Sequence, residues 1–72
     1  MKPIFEEKSF YPFTYCDHHN GYYEIMRYNI IKHKWISLKK IRSTQEWVEK
    51  YVYDLNSDAG IISERFIVGY KD

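Results

Sequence analysis

From Phe10 to Ile41 apolar and polar positions follow an extended-chain pattern, and beyond Ser43 they switch to a helical period. Aromatics and Thr dominate Phe10 to Cys16, with Tyr11, Phe13 and Tyr15 on one side, which predicts a strand. Pro12 has no N–H for a ladder, so this strand is expected at a sheet edge. Asp17-His18-His19-Asn20-Gly21 follows, and Asn20-Gly21 is the clearest turn signal because both residues tolerate positive φ. Tyr22 to Ile31 predicts a second strand and Trp35 to Ile41 a third, joined at Lys32-His33-Lys34 by a turn without Gly. If the second strand ends at Asn29 instead, Ile30 and Ile31 fall on a loop tip with no core to enter.

Ser43 is expected to cap the helix, with Glu46 three positions on to complete a capping box. Trp47, Val48, Tyr51, Val52 and Leu55 follow at helical spacing, Glu46 and Lys50 form an i,i+4 pair, and Tyr53 falls on the polar side. Asn56 to Gly60 ends the helix, and Ile61 to Tyr70 predicts a last strand. The order β-β-β-α-β gives an α+β class: a small antiparallel three- to four-stranded sheet with one amphipathic helix packed on one face. Residues 1–72 are expected to form one domain, with 1–8 disordered.

Size sharpens this picture, because a chain of 72 residues buries only about 60% of its unfolded surface. The single Cys16 excludes an internal disulfide and suits a reducing, cytoplasmic setting. Aromatics make up 19% of the chain and supply large buried areas at low rotamer cost. One helix cannot cover them all, so Trp35 and some of Tyr11, Tyr15, Tyr23 and Tyr28 are expected to stay accessible or to be covered by a partner. No apolar run approaches the roughly 20 residues of a membrane span, so no membrane association is expected.

The net charge of +1 hides a segregation. Residues 21–42 carry Arg27, Lys32, Lys34, Lys39, Lys40 and Arg42 against Glu24 alone, whereas residues 43–72 are acidic through Glu46, Glu49, Asp54, Asp58, Glu64 and Asp72.

Candidate chemistry is sparse. Cys16, His18, His19 and His33 are the metal-ligating residue types, but adjacent His side chains point to opposite sides of an extended chain and no paired ligand spacing is present. A solvated turn accounts for them, and neither a metal nor another cofactor is expected. Cys16 beside His18 or His19 is the one candidate nucleophile, and catalysis would also require a concave, water-excluding site with an oxyanion stabiliser. Glu6-Glu7 is the only adjacent carboxylate pair, and no Gly-rich phosphate loop exists among the three glycines. A non-catalytic role is therefore expected.

Binding remains. Tyr23, Arg27, Tyr28, Lys32, Lys34, Trp35, Lys39 and Lys40 form the candidate surface. Aromatic and Arg side chains anchor protein interfaces. Cations interleaved with rings also suit RNA or single-stranded DNA, where phosphates follow the charges and bases stack. Lysines that solubilise a hairpin and guard its edge are the plain alternative.

No motif assigns the chain to a family. Its Tyr-, Ile- and Lys-rich composition resembles that of short orphan proteins encoded by bacteriophages and mobile elements. That resemblance implies a non-catalytic inhibitor or regulator that occludes a host protein, of the anti-CRISPR, anti-restriction or antitoxin-like kind. A three-stranded sheet followed by a helix is also similar to the arm-type DNA-binding modules of phage integrases, but the Gly-containing strands of those modules are missing from Tyr22 to Ile41. The leading expectation is a protein-binding inhibitor whose partner is a host protein, alone or in a nucleic-acid-associated complex. The alternative is a small RNA- or single-stranded-DNA-binding protein using the basic-aromatic hairpin. Homodimerisation through an exposed strand edge or sheet face is a further expectation, since pairing supplies burial that a short chain lacks.

Overall fold

A computed structural model describes all 72 residues. Five strands and one helix follow in the order β1 (Lys2–Phe10), β2 (Phe13–Asp17), β3 (Tyr22–Asn29), β4 (Lys34–Arg42), α1 (Gln45–Ala59) and β5 (Ile62–Lys71). The class is α+β, with one strand more than the sequence pattern predicts. The strands form two separate antiparallel sheets, a three-stranded meander β2-β3-β4 and a two-stranded ribbon β1-β5.

The meander and helix make the body. Phe13, Tyr15, Tyr23, Ile25 and Ile41 face the helix, which returns Val48, Val52, Tyr51 and Leu55. Only Ile25 and Val48 are fully buried. The edge position predicted for the strand around Phe13 holds, because β2 pairs on one side with β3 and on the other meets only the helix. Asn56 closes that open edge: its Oδ1 accepts from the Phe13 N–H at 2.9 Å and its Nδ2 donates to the Phe13 carbonyl at 3.0 Å. The helix end thus satisfies two strand groups that would otherwise need water. Tyr15 adds a second tie, donating its hydroxyl to Glu49 at 3.0 Å.

The helix starts one residue later than the sequence suggests. Thr44, not Ser43, accepts from the Trp47 N–H, while the Ser43 N–H donates to the Gly21 carbonyl at 3.1 Å and keeps that residue extended. Glu46 then stands too early to complete a capping box, although its charge still favours the helix N-terminus. Gly60, at φ of 77°, ends the helix with its N–H on the Asn56 carbonyl.

The disorder expected for residues 1–8 is overturned, because Lys2–Phe10 is a strand whose partner lies at the opposite end of the chain. Glu7 stands opposite Arg65 and Lys8 opposite Glu64, so each of these charged residues near the start of the chain has an opposite charge as its cross-strand neighbour. The Arg65 guanidinium lies 4.4 Å from the Phe5 ring centroid, Lys8 covers Phe66, and the Ser9 and Ser63 hydroxyls meet at 2.9 Å. The last strand accordingly leaves the meander alone, and no single four-stranded sheet forms.

The ribbon meets the body at its base, on the sheet face opposite the helix. Phe10 packs on Tyr28 at 4.6 Å between ring centroids, and Tyr28 stacks on Trp35 at 5.3 Å. Beyond that base the ribbon is exposed at Ile4, Phe5, Ile67, Val68 and Tyr70. The molecule is consequently long, 52 × 24 × 18 Å, with a radius of gyration of 15.7 Å. About 11 Å is usual for a chain of this length.

Candidate functional site

The β3–β4 hairpin carries most of the candidate surface, and its turn decides the geometry. Strand β3 ends at Asn29, so Ile30-Ile31-Lys32-His33 forms the connection. Without a Gly, the turn closes by two devices: the Asn29 side chain accepts from the Lys32 N–H at 2.9 Å, and His33 adopts a φ of 55°. The left-handed residue costs about 1–2 kcal/mol when it is not Gly. The His33 imidazole is paired with the Glu64 carboxylate on β5, which ties the turn to the ribbon.

Closing early at Asn29 strands the two isoleucines. Ile31 is 90% exposed and Ile30 is 44% exposed, at a tip that no other element covers. A register shift between Ile25 and Met26 leaves Leu38 of β4 outside the pairing, and its side chain is also exposed. Ile30, Ile31, Ile36 and Leu38 line an open groove of about 480 Å³ whose rim includes Arg27 and Tyr28. Lys32 and Lys34 flank the tip in sequence, and the turn itself holds no acidic residue.

The eight predicted site residues divide over the body. Lys32, Lys34, Arg27, Tyr28 and Trp35 gather at the hairpin end. Tyr23 lies in the core under the helix, 8% exposed, where no base or partner reaches its ring. Lys39 points to the helix side and sits 4.7 Å from the Tyr51 ring centroid, whereas Lys40 projects from the opposite face, opposite Glu24. The hairpin is thus a basic tip and a divided body, not a continuous basic-aromatic stripe. Of the aromatics expected to stay accessible, Tyr11 and Trp35 are exposed, while Tyr15 and Tyr28 are half-buried.

Electrostatics at the turn end of the hairpin centre on one buried carboxyl side chain. The Glu64 side chain is 5% exposed, and its carboxylate faces the Tyr28 phenol as well as His33. A hydrogen bond to that carboxylate, then burial, hold the Tyr28 phenol above its ordinary value of 10.0. Tyr15 is raised for the same chief reason, its bond to Glu49. On the open sheet face Glu24 moves the other way: hydrogen bonds from Ser37 and His18 hold its carboxyl below the usual range.

The candidate metal ligands do not converge. His18 pairs with Glu24 at 3.1 Å, His19 lies beside Asp17, and His33 is at the other end of the sheet on Glu64. No group of three or more His, Cys, Asp or Glu side chains is placed to hold an ion. Cys16 is exposed on the open face and lines none of the surface cavities. No helix is long and apolar enough to cross a membrane.

Ile30, Ile31 and Leu38 are the site residues missing from the sequence-based set. The signal for the first two was present in the paired isoleucines before a cluster of turn-forming polar residues. Nothing local marks Leu38, whose exposure comes from a bulge. No family model matches the chain, and no match is found among curated proteins or solved structures.

Proposed function

We propose that this chain is a non-catalytic protein-binding module that uses the β3–β4 tip to occlude a partner's functional surface. The observation that carries this reading is the exposure of Ile31 and its neighbours at a turn flanked by cations. Isolated apolar side chains on a surface are ordinary, but a contiguous exposed apolar patch with a polar rim is typical of an interaction site. The complementary partner is a protein with an apolar ridge or pocket bordered by carboxylates. Such a surface receives Ile31 while its acids face Arg27, Lys32 and Lys34, which speeds encounter and fixes orientation. The compositional resemblance to phage and mobile-element proteins makes an inhibitor of a host defence factor the specific form of this proposal.

Nucleic-acid binding has less support from the same geometry. Stacking platforms need accessible rings beside a continuous phosphate track. Here Tyr23 is buried, Phe10 covers Tyr28, and Lys39 and Lys40 project from opposite faces.

The test is affinity capture from bacterial lysate with the tagged chain and with Ile31→Glu, each with and without nuclease. A stoichiometric, nuclease-resistant protein retained by the wild type and lost by Ile31→Glu supports the proposal. Retention that vanishes with nuclease and survives Ile31→Glu overturns it in favour of nucleic acid.

A further inference from the structure

The surface of this chain is too large for its mass. A compact monomer of 8.9 kDa exposes about 4,800 Å², whereas this chain exposes 5785 Å². The excess of roughly 1,000 Å² is close to the area that each partner contributes to a standard protein interface, about 800 Å². Most of the departure from a compact shape comes from the β1–β5 ribbon, which touches the body only at its base. A two-stranded ribbon is at best marginally stable in water, and three or more strands or a packed face are needed. A second surface would cover this one.

The ribbon's side chains indicate what. Phe5 stands opposite Ile67 and Pro3 opposite Tyr70, so one face presents four apolar side chains in two adjacent rows. Phe5, Ile67 and Tyr70 are 47%, 53% and 62% exposed. The same face continues toward the body with Glu7 opposite Arg65, a neutral pair. Neutrality with both signs present suits self-docking, because a two-fold axis brings no net like charge together. It does not suit nucleic acid, which needs an unopposed run of cations. Pro3 has no N–H to extend a ladder, so the face and not the β1 edge is the surface for packing.

We propose that the chain is a homodimer in which the β1–β5 ribbons of two copies pack antiparallel, face to face, about a two-fold axis near Phe5 and Ile67. The β3–β4 tip takes no part and stays open in both copies, so the dimer presents two tips.

Sedimentation equilibrium of the full chain over a wide concentration range tests this directly. The wild type is expected at about twice 8.9 kDa, dissociating on dilution. Ile67→Glu loses an apolar contact in both copies and is expected to raise the dimer dissociation constant by at least about a hundredfold. Far-UV circular dichroism should stay unchanged, because Ile67 is already half exposed in the single chain. Tyr70→Ser, at an even more exposed position, is expected to raise the constant about tenfold and serves as the deciding variant if Ile67→Glu does not fold. Ile31→Glu should leave the mass unchanged, which separates this interface from the proposed partner site. A wild type that is monomeric at every concentration overturns the proposal, as does a dimer indifferent to the ribbon substitutions or one dissolved by Ile31→Glu.

Discussion

Replacing Asn56 by Ala removes the two hydrogen bonds that join the end of α1 to the outer edge of β2 at Phe13. Each bond contributes a net of about 0.5–1.5 kcal/mol, so the pair is worth roughly 1–3 kcal/mol. The upper half of that range is expected, because the site is partly buried and water replaces the lost partner only incompletely. Against a total of about 5–15 kcal/mol, with a small domain toward the lower end, this is a large fraction. A loss of 1 kcal/mol lowers Tm by about 4–8 °C in a domain of this size. Asn56→Ala should therefore melt roughly 8–24 °C below the wild type by circular dichroism, with the denaturation midpoint in urea shifted and its slope unchanged. The neighbouring Ser57, exposed and without a side-chain hydrogen bond, provides the control and should change stability by less than about 0.5 kcal/mol on substitution by Ala. Asn56→Asp is the sharper variant. Its carboxylate would face the Phe13 carbonyl oxygen, which raises its folded-state pKa above the unfolded value of about 3.9. Its contribution to stability should be fully present below about pH 3.9 and be lost as pH rises through the folded value. An Asn56→Ala protein that melts with the wild type would refute the assignment of these bonds as the tie between helix and sheet.

Two further outcomes follow from the core and from the open sheet face. Ile25→Ala empties the most buried position of a core with very few fully buried side chains, and a loss of about 2–5 kcal/mol is expected to abolish cooperative thermal unfolding or bring Tm near ambient. A retained sharp transition within a few degrees of the wild type would show that the ribbon, and not the helix–sheet core, carries the stability. Glu24 has a depressed carboxyl pKa owing to Ser37 and His18, so its stabilising contribution is present above the unfolded value of about 4.3 and fades as pH falls through the folded one. Carbon-detected titration should place Glu24 below an ordinary glutamate, and Ser37→Ala should move it back up; an unshifted midpoint in the wild type would contradict the hydrogen-bonded geometry.

Much of the body was legible from local pattern. The alternation around Tyr23 and Ile25, the Asn20-Gly21 signal and the helical spacing of Val48 and Val52 each specify an element through backbone preferences within a few residues. The same signals placed Phe13 on an edge strand and Tyr53 on the solvent side of the helix. Errors arose where a distant group intervened. The Gly21 carbonyl captured the Ser43 N–H and moved the cap to Thr44. Glu64 on the last strand engaged His33, the residue that takes the left-handed turn.

For the candidate sites the division is sharper. Composition indicated a sticky, partly basic surface and the residue types that form it, because those are properties of side chains alone. Which of them share a surface depends on alternation across a sheet with one bulge, and that separates Lys39 from Lys40 and sends Tyr23 into the core. The sequence by itself determined the α+β class, the three-stranded meander, the amphipathic helix and the absence of a disulfide, since each follows from local preference or from a count. Only the tertiary structure decided that Lys2–Phe10 is ordered, that it pairs with Ile62–Lys71, and that the resulting ribbon projects from a small core. Pairing between strands at opposite ends of the chain is set by long-range register and by the surface each has to cover, and neither is written in any short window of residues.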